Sequence, residues 1–194
     1  MTTTPLNPHA APFLPAITSL PTLPDASLVS TLDLLFEPSP ELRALALPTV
    51  RAMSFASYAD LVATVRDELL AVAAAVRDDR DARASLHAAL GGHPRLGGGG
   101  GGGGISGGEQ RGLEGAGDEL AVLNGEYEER FPGMRYVVFV NGRGRDAIVG
   151  DMRRRIDRGD LAAEEVEAIQ AICDIAIDRA AKLQAAVPAP AETS

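Results

Sequence analysis

The chain has 194 residues and a formal net charge of -9, enough length for one domain with a sizeable core and too little for two comfortable ones. That acidic balance argues against a general nucleic-acid binder, which needs a basic face to release phosphate counterions. Among the apolar side chains alanine, leucine and valine dominate, aromatic residues are few and tryptophan is absent, a mixture that suits helices packed through small side chains better than a β-sandwich.

Residues 1–24 carry Pro5, Pro8, Pro12, Pro15, Pro21 and Pro24, which break every helix that starts there. This N-terminal arm reads as extended on the surface or disordered. "DASLVSTLDLLFEP" then places Leu28, Val29, Leu32, Leu35 and Phe36 at helical spacing, stopped by Pro38. In "SPELRALAL", Ser39 is the N-cap, Pro40 lies in the first turn and Pro48 closes the helix. "SYADLVATVRDELLAVAAAVRD" sets Leu61, Val62, Val65, Leu69, Leu70 and Val72 on one stripe. A shorter helix, "ARASLHAAL", ends at Gly91-Gly92. A glycine tether, residues 97–104, follows.

"EQRGLEGAGDELAVLNGEYEERF" reads as a helix with a glycine-weakened first half, and "YVVFV" as a short, extended, buried run. "NGRGRD" turns the chain into a helix through "AIVGDMRRRI", which Gly159 ends. The arginines there alternate with Asp146, Asp151 and Asp157, the pattern of a solvated helix face. Asp160 caps the last helix, with Leu161, Val166, Ile169, Ile172, Cys173 and Ala176 as its core stripe. The expected fold is an all-α, single-domain bundle of about seven to nine helices with one short extended segment. Its helical domain spans residues 25–184, and residues 185–194 form a disordered tail.

Cys173 is the single cysteine, so neither a disulfide framework nor a cysteine-rich metal site is expected, and it reads as a buried apolar residue. His9, His87 and His93 lack a metal-ligand spacing. No run of about 18 apolar residues predicts a membrane span. Neither a secretory signal nor a peroxisomal Ser-Lys-Leu end is seen, so a cytoplasmic location is expected.

Two residues flank the tether, His93 and Glu109. Ser106 and Glu109 form a capping-box pattern that accounts for both without any function. His93, just past a helix end, can complement the macrodipole. The same geometry also suits catalysis. A carboxylate can orient an imidazole for proton transfer, and Gln110 offers amide donors and an acceptor to an amide-rich ligand. Spacing alone does not separate these accounts.

"HPRL", "SGGEQ" and "LNGEYEERFPGMRYVVFVNGRGRD" together resemble the 2-oxo-4-hydroxy-4-carboxy-5-ureidoimidazoline (OHCU) decarboxylases of uric acid degradation, over residues 27–184. Arg95 replaces an aspartate of that pattern, and "LLFEPSPEL" resembles its Phe-Glu-x-Ser-Pro element without the nearby tryptophan. The resemblance implies an all-helical homodimer that removes carbon dioxide from an anionic ureidoimidazoline to leave (S)-allantoin, with no metal or organic cofactor. It implies His93 as the acid/base residue, Glu109 as its polarising partner and Gln110 as a substrate contact. Pro94, Ser106 and the backbone of Tyr136, Val137, Val138, Phe139 and Val140 would line the pocket. The glycine tether is then a variable loop between two halves of the site, which loop-closure entropy tolerates.

The family's last-helix arginine falls on Ala176 in the simplest alignment, with Arg179 one turn on. Arg179 either reaches the site, with the last helix turned or shifted to aim it, or pairs with Asp174 or Asp178 on the surface. The alternative to an enzyme is a re-purposed helical binding protein on the same scaffold, since fold does not establish function.

Overall fold

The computed structural model describes residues 13–76, 79–97 and 117–185. Among them are a 3-10 helix, Ile17–Thr22, and seven α-helices: α1 (Asp25–Phe36), α2 (Pro40–Ala52), α3 (Tyr58–Ala75), α4 (Arg80–Leu90), α5 (Gly117–Arg130), α6 (Arg145–Arg158) and α7 (Leu161–Ala185). No strand occurs among the described residues, and the fold is all-α. None of these helices is long and apolar enough to cross a membrane.

Short polar side chains start the helices where the sequence puts them. Ser39 accepts from Leu42 N–H at 3.2 Å, Ser57 from Asp60 N–H at 3.1 Å, and Asp160 from Ala163 N–H at 3.1 Å, each satisfying a donor the helix leaves open. Gly159 ends α6 in the left-handed region, at φ 59°. The backbone there favours glycine, and a Cβ would also displace the Arg130 guanidinium, whose nitrogen would lie 1.6 Å away. The long helix α7 lies against α3 and α1, while α5 packs on α6. Cys173 is buried on α7, where burial pushes its thiol up to about 12.

Four expectations are corrected. Pro48 does not close α2, which continues to Ala52 with Ala46 and Val50 buried on either side of it. The last turn stays helical because Arg51 ties it down, donating to Leu23 O at 2.6 Å. The second half of the proline-rich arm is docked, with Leu14 and Leu20 buried and Pro21 inside the 3-10 helix. Tyr58 Oη donates to Pro15 O at 2.8 Å, fastening it to α3. Val166 is exposed, and α7 instead buries Glu164, Glu165 and Arg179.

The fourth correction concerns α6, which is not simply a solvated face: Asp151 and Arg155 are buried. Arg155 Nε lies 2.9 and 3.0 Å from the two Glu164 carboxylate oxygens. Its Nη1 donates to Val137 O at 3.2 Å, and Tyr127 Oη donates to Glu164. Residues 134–140 form neither helix nor strand and are mostly buried. The Arg155 side chain thus satisfies a carbonyl that a sheet would otherwise satisfy.

Candidate functional site

His93 follows α4 after two glycines. The region around it is held by three connections. Gly91 N–H caps α4 on His87 O at 2.8 Å, and Arg135 donates to Gly91 O at 3.3 Å. Asn124, from the Leu-Asn-x-x-Tyr element, donates to Leu96 O at 3.0 Å. That element therefore fastens the His93 segment to α5, and its tyrosine joins the Arg155–Glu164 cluster.

The imidazole of His93 is 6 % exposed, and its Nε2 has no hydrogen-bond partner among the described residues. Burial, and after it the nearby Arg179 guanidinium, lower its pKa from the ordinary 6.5 to about 4, with Glu37 acting in the opposite sense. The free protein therefore holds a neutral imidazole at neutral pH. This removes the reading of His93 as a charge on the α4 macrodipole, because a neutral ring does not complement a dipole.

Arg179 is 1 % exposed. It sits on the inward stripe of a continuous α7, one turn from Ala176 and Leu183. Neither acidic neighbour on α7 holds it: Asp174 accepts from Gln170 at 2.8 Å and Asp178 pairs with Lys182. Arg179 reaches back 142 residues to Glu37 Oε1 at 2.6 Å, and Nη1 lies 3.4 Å from Leu35 O. No bend of α7 is needed, since position 179 already faces the core.

The other predicted residues divide. Pro94 is exposed beside His93. Tyr136, Val137, Val138 and Val140 are buried and Phe139 is half-buried. Tyr136 Oη donates to Asp151 at 2.5 Å; burial and that bond push the phenol far above its usual range, so it remains a neutral donor. Ser106, Glu109 and Gln110 lie outside the described residues, as does the tether beyond Gly97. Among the described residues no group of three His, Cys, Asp or Glu side chains is placed to hold a metal ion.

Sequence reasoning missed two features. Glu37, in "LLFEPSPEL", was quoted only as part of a family element, yet its carboxylate accepts from Arg179 Nη2 at 2.6 Å. His87 Nε2 lies 2.8 Å from Glu165 Oε1, and Arg83 Nε is 3.0 Å from the same oxygen. This buried cluster braces α4, which leads to His93, against α7, which carries Arg179.

A pH dependence follows from the buried imidazole. Its folded pKa, about 4, lies below the unfolded value, so the unfolded chain binds the extra proton between the two. The stability it confers is fully present above pH 6.5 and is lost as pH falls toward 4, roughly 3 kcal/mol in all at about 1.4 kcal/mol per unit. Denaturant melts near neutral pH and near pH 4.5 should show His93→Asn losing most of that acid sensitivity. Equal acid sensitivity in the two proteins would mean His93 is not buried neutral.

No curated protein matches the chain. The family model described as OHCU decarboxylase matches residues 21–181. With a match over most of its length, whose span takes in His93, Arg179 and Glu37, the chain belongs to the OHCU decarboxylase family.

Proposed function

We propose that the protein converts 2-oxo-4-hydroxy-4-carboxy-5-ureidoimidazoline to (S)-allantoin and carbon dioxide in purine degradation, with no metal or organic cofactor. The observation that carries this is a buried imidazole, its Nε2 without a partner among the described residues, within the electrostatic influence of the buried guanidinium of Arg179. An anionic substrate entering a desolvated site needs a cation to offset its own charge. Arg179 provides it with donors suited to a carboxylate.

The carbon–carbon bond to the carboxylate breaks, carbon dioxide leaves, and the electron pair stays on the ring carbon, delocalised toward the ring carbonyl. The 4-hydroxyl gives up its proton as that carbon becomes a carbonyl of allantoin, and the neighbouring carbon that bears the ureido group takes a proton on one face. His93 handles this proton. The imidazole is neutral in the free protein, held so mainly by burial, and a bound carboxylate beside Arg179 offsets the guanidinium's share of that effect, so it can accept and return a proton. Glu109 orients and polarises the imidazole, Gln110 holds the ring or ureido group, and Ser106, Pro94 and the 136–140 backbone line the pocket. The working protein is a cytoplasmic homodimer.

The binding-protein alternative predicted an Arg179 paired with Asp174 or Asp178 on the surface; the buried Arg179 favours the enzyme. Freshly generated substrate, followed by circular dichroism with and without protein, tests the reading. Optically active allantoin should form faster with protein, and equal rates would sink the proposal. In the same assay Glu109→Gln should nearly abolish turnover while costing well under the ~1 kcal/mol of a lost cap. Full activity with a lowered melting temperature would reduce Glu109 to a cap.

A further inference from the structure

The turn between α1 and α2 carries an unusual residue. Glu37 caps α1 with φ 69° and ψ 156°, a region that is nearly restricted to glycine and costs about 1–3 kcal/mol for other residues. Pro38 explains the extended ψ, because a residue before proline is kept out of the helical region. It does not explain the positive φ. Asn141, at φ 39°, is the one other non-glycine residue with positive φ among the described residues, and asparagine tolerates that region far better than glutamate.

What the strained conformation achieves is the direction of a carboxylate. Glu37 Oε1 meets Arg179 Nη2 at 2.6 Å, with the two side chains 19 % and 1 % exposed. The same turn touches the His93 segment: a Cβ built on Gly92 would lie 3.7 Å from Glu37 Cβ, Pro38 O and Ser39 Cβ. Ser39 fixes the far side of the turn by capping α2. Strain persists where surrounding structure over-determines it, and it collects at functional sites.

We propose that Glu37 is the positioning residue for Arg179: its inward carboxylate, held by the strained turn after α1, fixes the guanidinium beside His93. It need not touch the substrate. A buried arginine that loses an acidic partner is costly and gains rotamer freedom, whereas one clamped at Nη2 holds its plane more firmly. Glu37 also keeps the site from becoming strongly cationic, so an anionic substrate can be bound without being trapped. The proposal rests on the decarboxylase reading of His93 and Arg179.

Three variants separate carboxylate, acceptor and backbone. Glu37→Ala removes the clamp and should lower kcat by roughly 10²-fold, the scale of a 1 Å misplacement. Glu37→Gln retains an acceptor for Arg179 and should recover part of that loss. Glu37→Gly should melt higher than Glu37→Ala, since glycine adopts this backbone freely, yet be equally slow. NMR titration of the His93 imidazole supplies a readout that needs no substrate. Losing the Glu37 charge while Arg179 stays in place should move the His93 midpoint in Glu37→Gln further below that of the parent protein.

A kcat in Glu37→Ala within twofold of the parent, or an unmoved His93 midpoint in Glu37→Gln, overturns the positioning role. A merely structural Glu37 would lower the melting temperature in all three variants and leave both of those readouts unchanged. If the parent protein shows no turnover at all while the His93 midpoint moves as expected, the decarboxylase reading fails and the charge cluster around Arg179 stands.

Discussion

Replacing His93 with asparagine is expected to slow formation of optically active allantoin by about 10²–10⁴-fold, the usual contribution of a positioned acid/base group. Asparagine fills a similar volume and keeps hydrogen-bonding capacity, so the fold should survive. Among the described residues the imidazole has no hydrogen-bond partner at Nε2, and its replacement therefore strands none of them at that atom. Removing a buried ring of lowered pKa also takes away the acid sensitivity it causes. Activity and acid stability should thus change together in His93→Asn, one falling and the other improving. Turnover within a few-fold of the parent protein would remove His93 from the mechanism, whatever the melting curves show.

The largest expected effect on stability belongs to Arg155→Met. Glu164 is 0 % exposed, and Arg155, 3 % exposed at its side chain, is its closest cationic partner. Arg158, 31 % exposed at its side chain, reaches the other oxygen at 3.0 Å. Methionine preserves apolar volume but leaves the carboxylate undercompensated and Val137 O without its donor. Breaking one half of a buried pair costs about 3–5 kcal/mol, which for a chain of this size is a fall in melting temperature of about 6–20 °C. The double variant Arg155→Met/Glu164→Leu should recover much of that, because removing both charges also removes the cost of burying them. A single variant that melts within about 1 kcal/mol of the parent protein would show that Arg158 and Tyr127 suffice for Glu164.

This second prediction also bears on the candidate site. Arg155 and Glu164 join α6 to the start of α7, and Arg155 holds the 136–140 segment by the Val137 carbonyl. Loosening that end of α7 should be felt at Arg179, four turns along the same helix. Activity should therefore fall in Arg155→Met even below its melting temperature, and the double variant should restore it.

The sequence by itself determined the features that depend on near neighbours. Helix starts at Ser39 and Asp160 were legible because a cap is formed within three residues. The Gly159 stop was legible because glycine is the common residue for a left-handed helix end. Apolar spacing picked out most of the core stripes of α1, α3 and α7, and three separated motifs pointed to the family that the family model then matched.

Tertiary structure alone decided which charges are buried and with whom. The arginine run of α6 looked solvated because alternating charge usually is, yet α7 closes over Arg155 and Glu164 and excludes the water that would screen them. Val166 fits the apolar stripe on spacing, but α7 faces solvent there and buries Glu164 and Glu165 instead. Arg179 and Glu37 lie 142 residues apart, so no local pattern could pair them. The left-handed turn at Glu37 is set by packing on both sides, against the intrinsic preference of the residue. Local propensity is a short-range property of the chain, whereas the pairing of buried charges is a property of the closed core, and His93, Arg179 and Glu37 meet only once that core has formed.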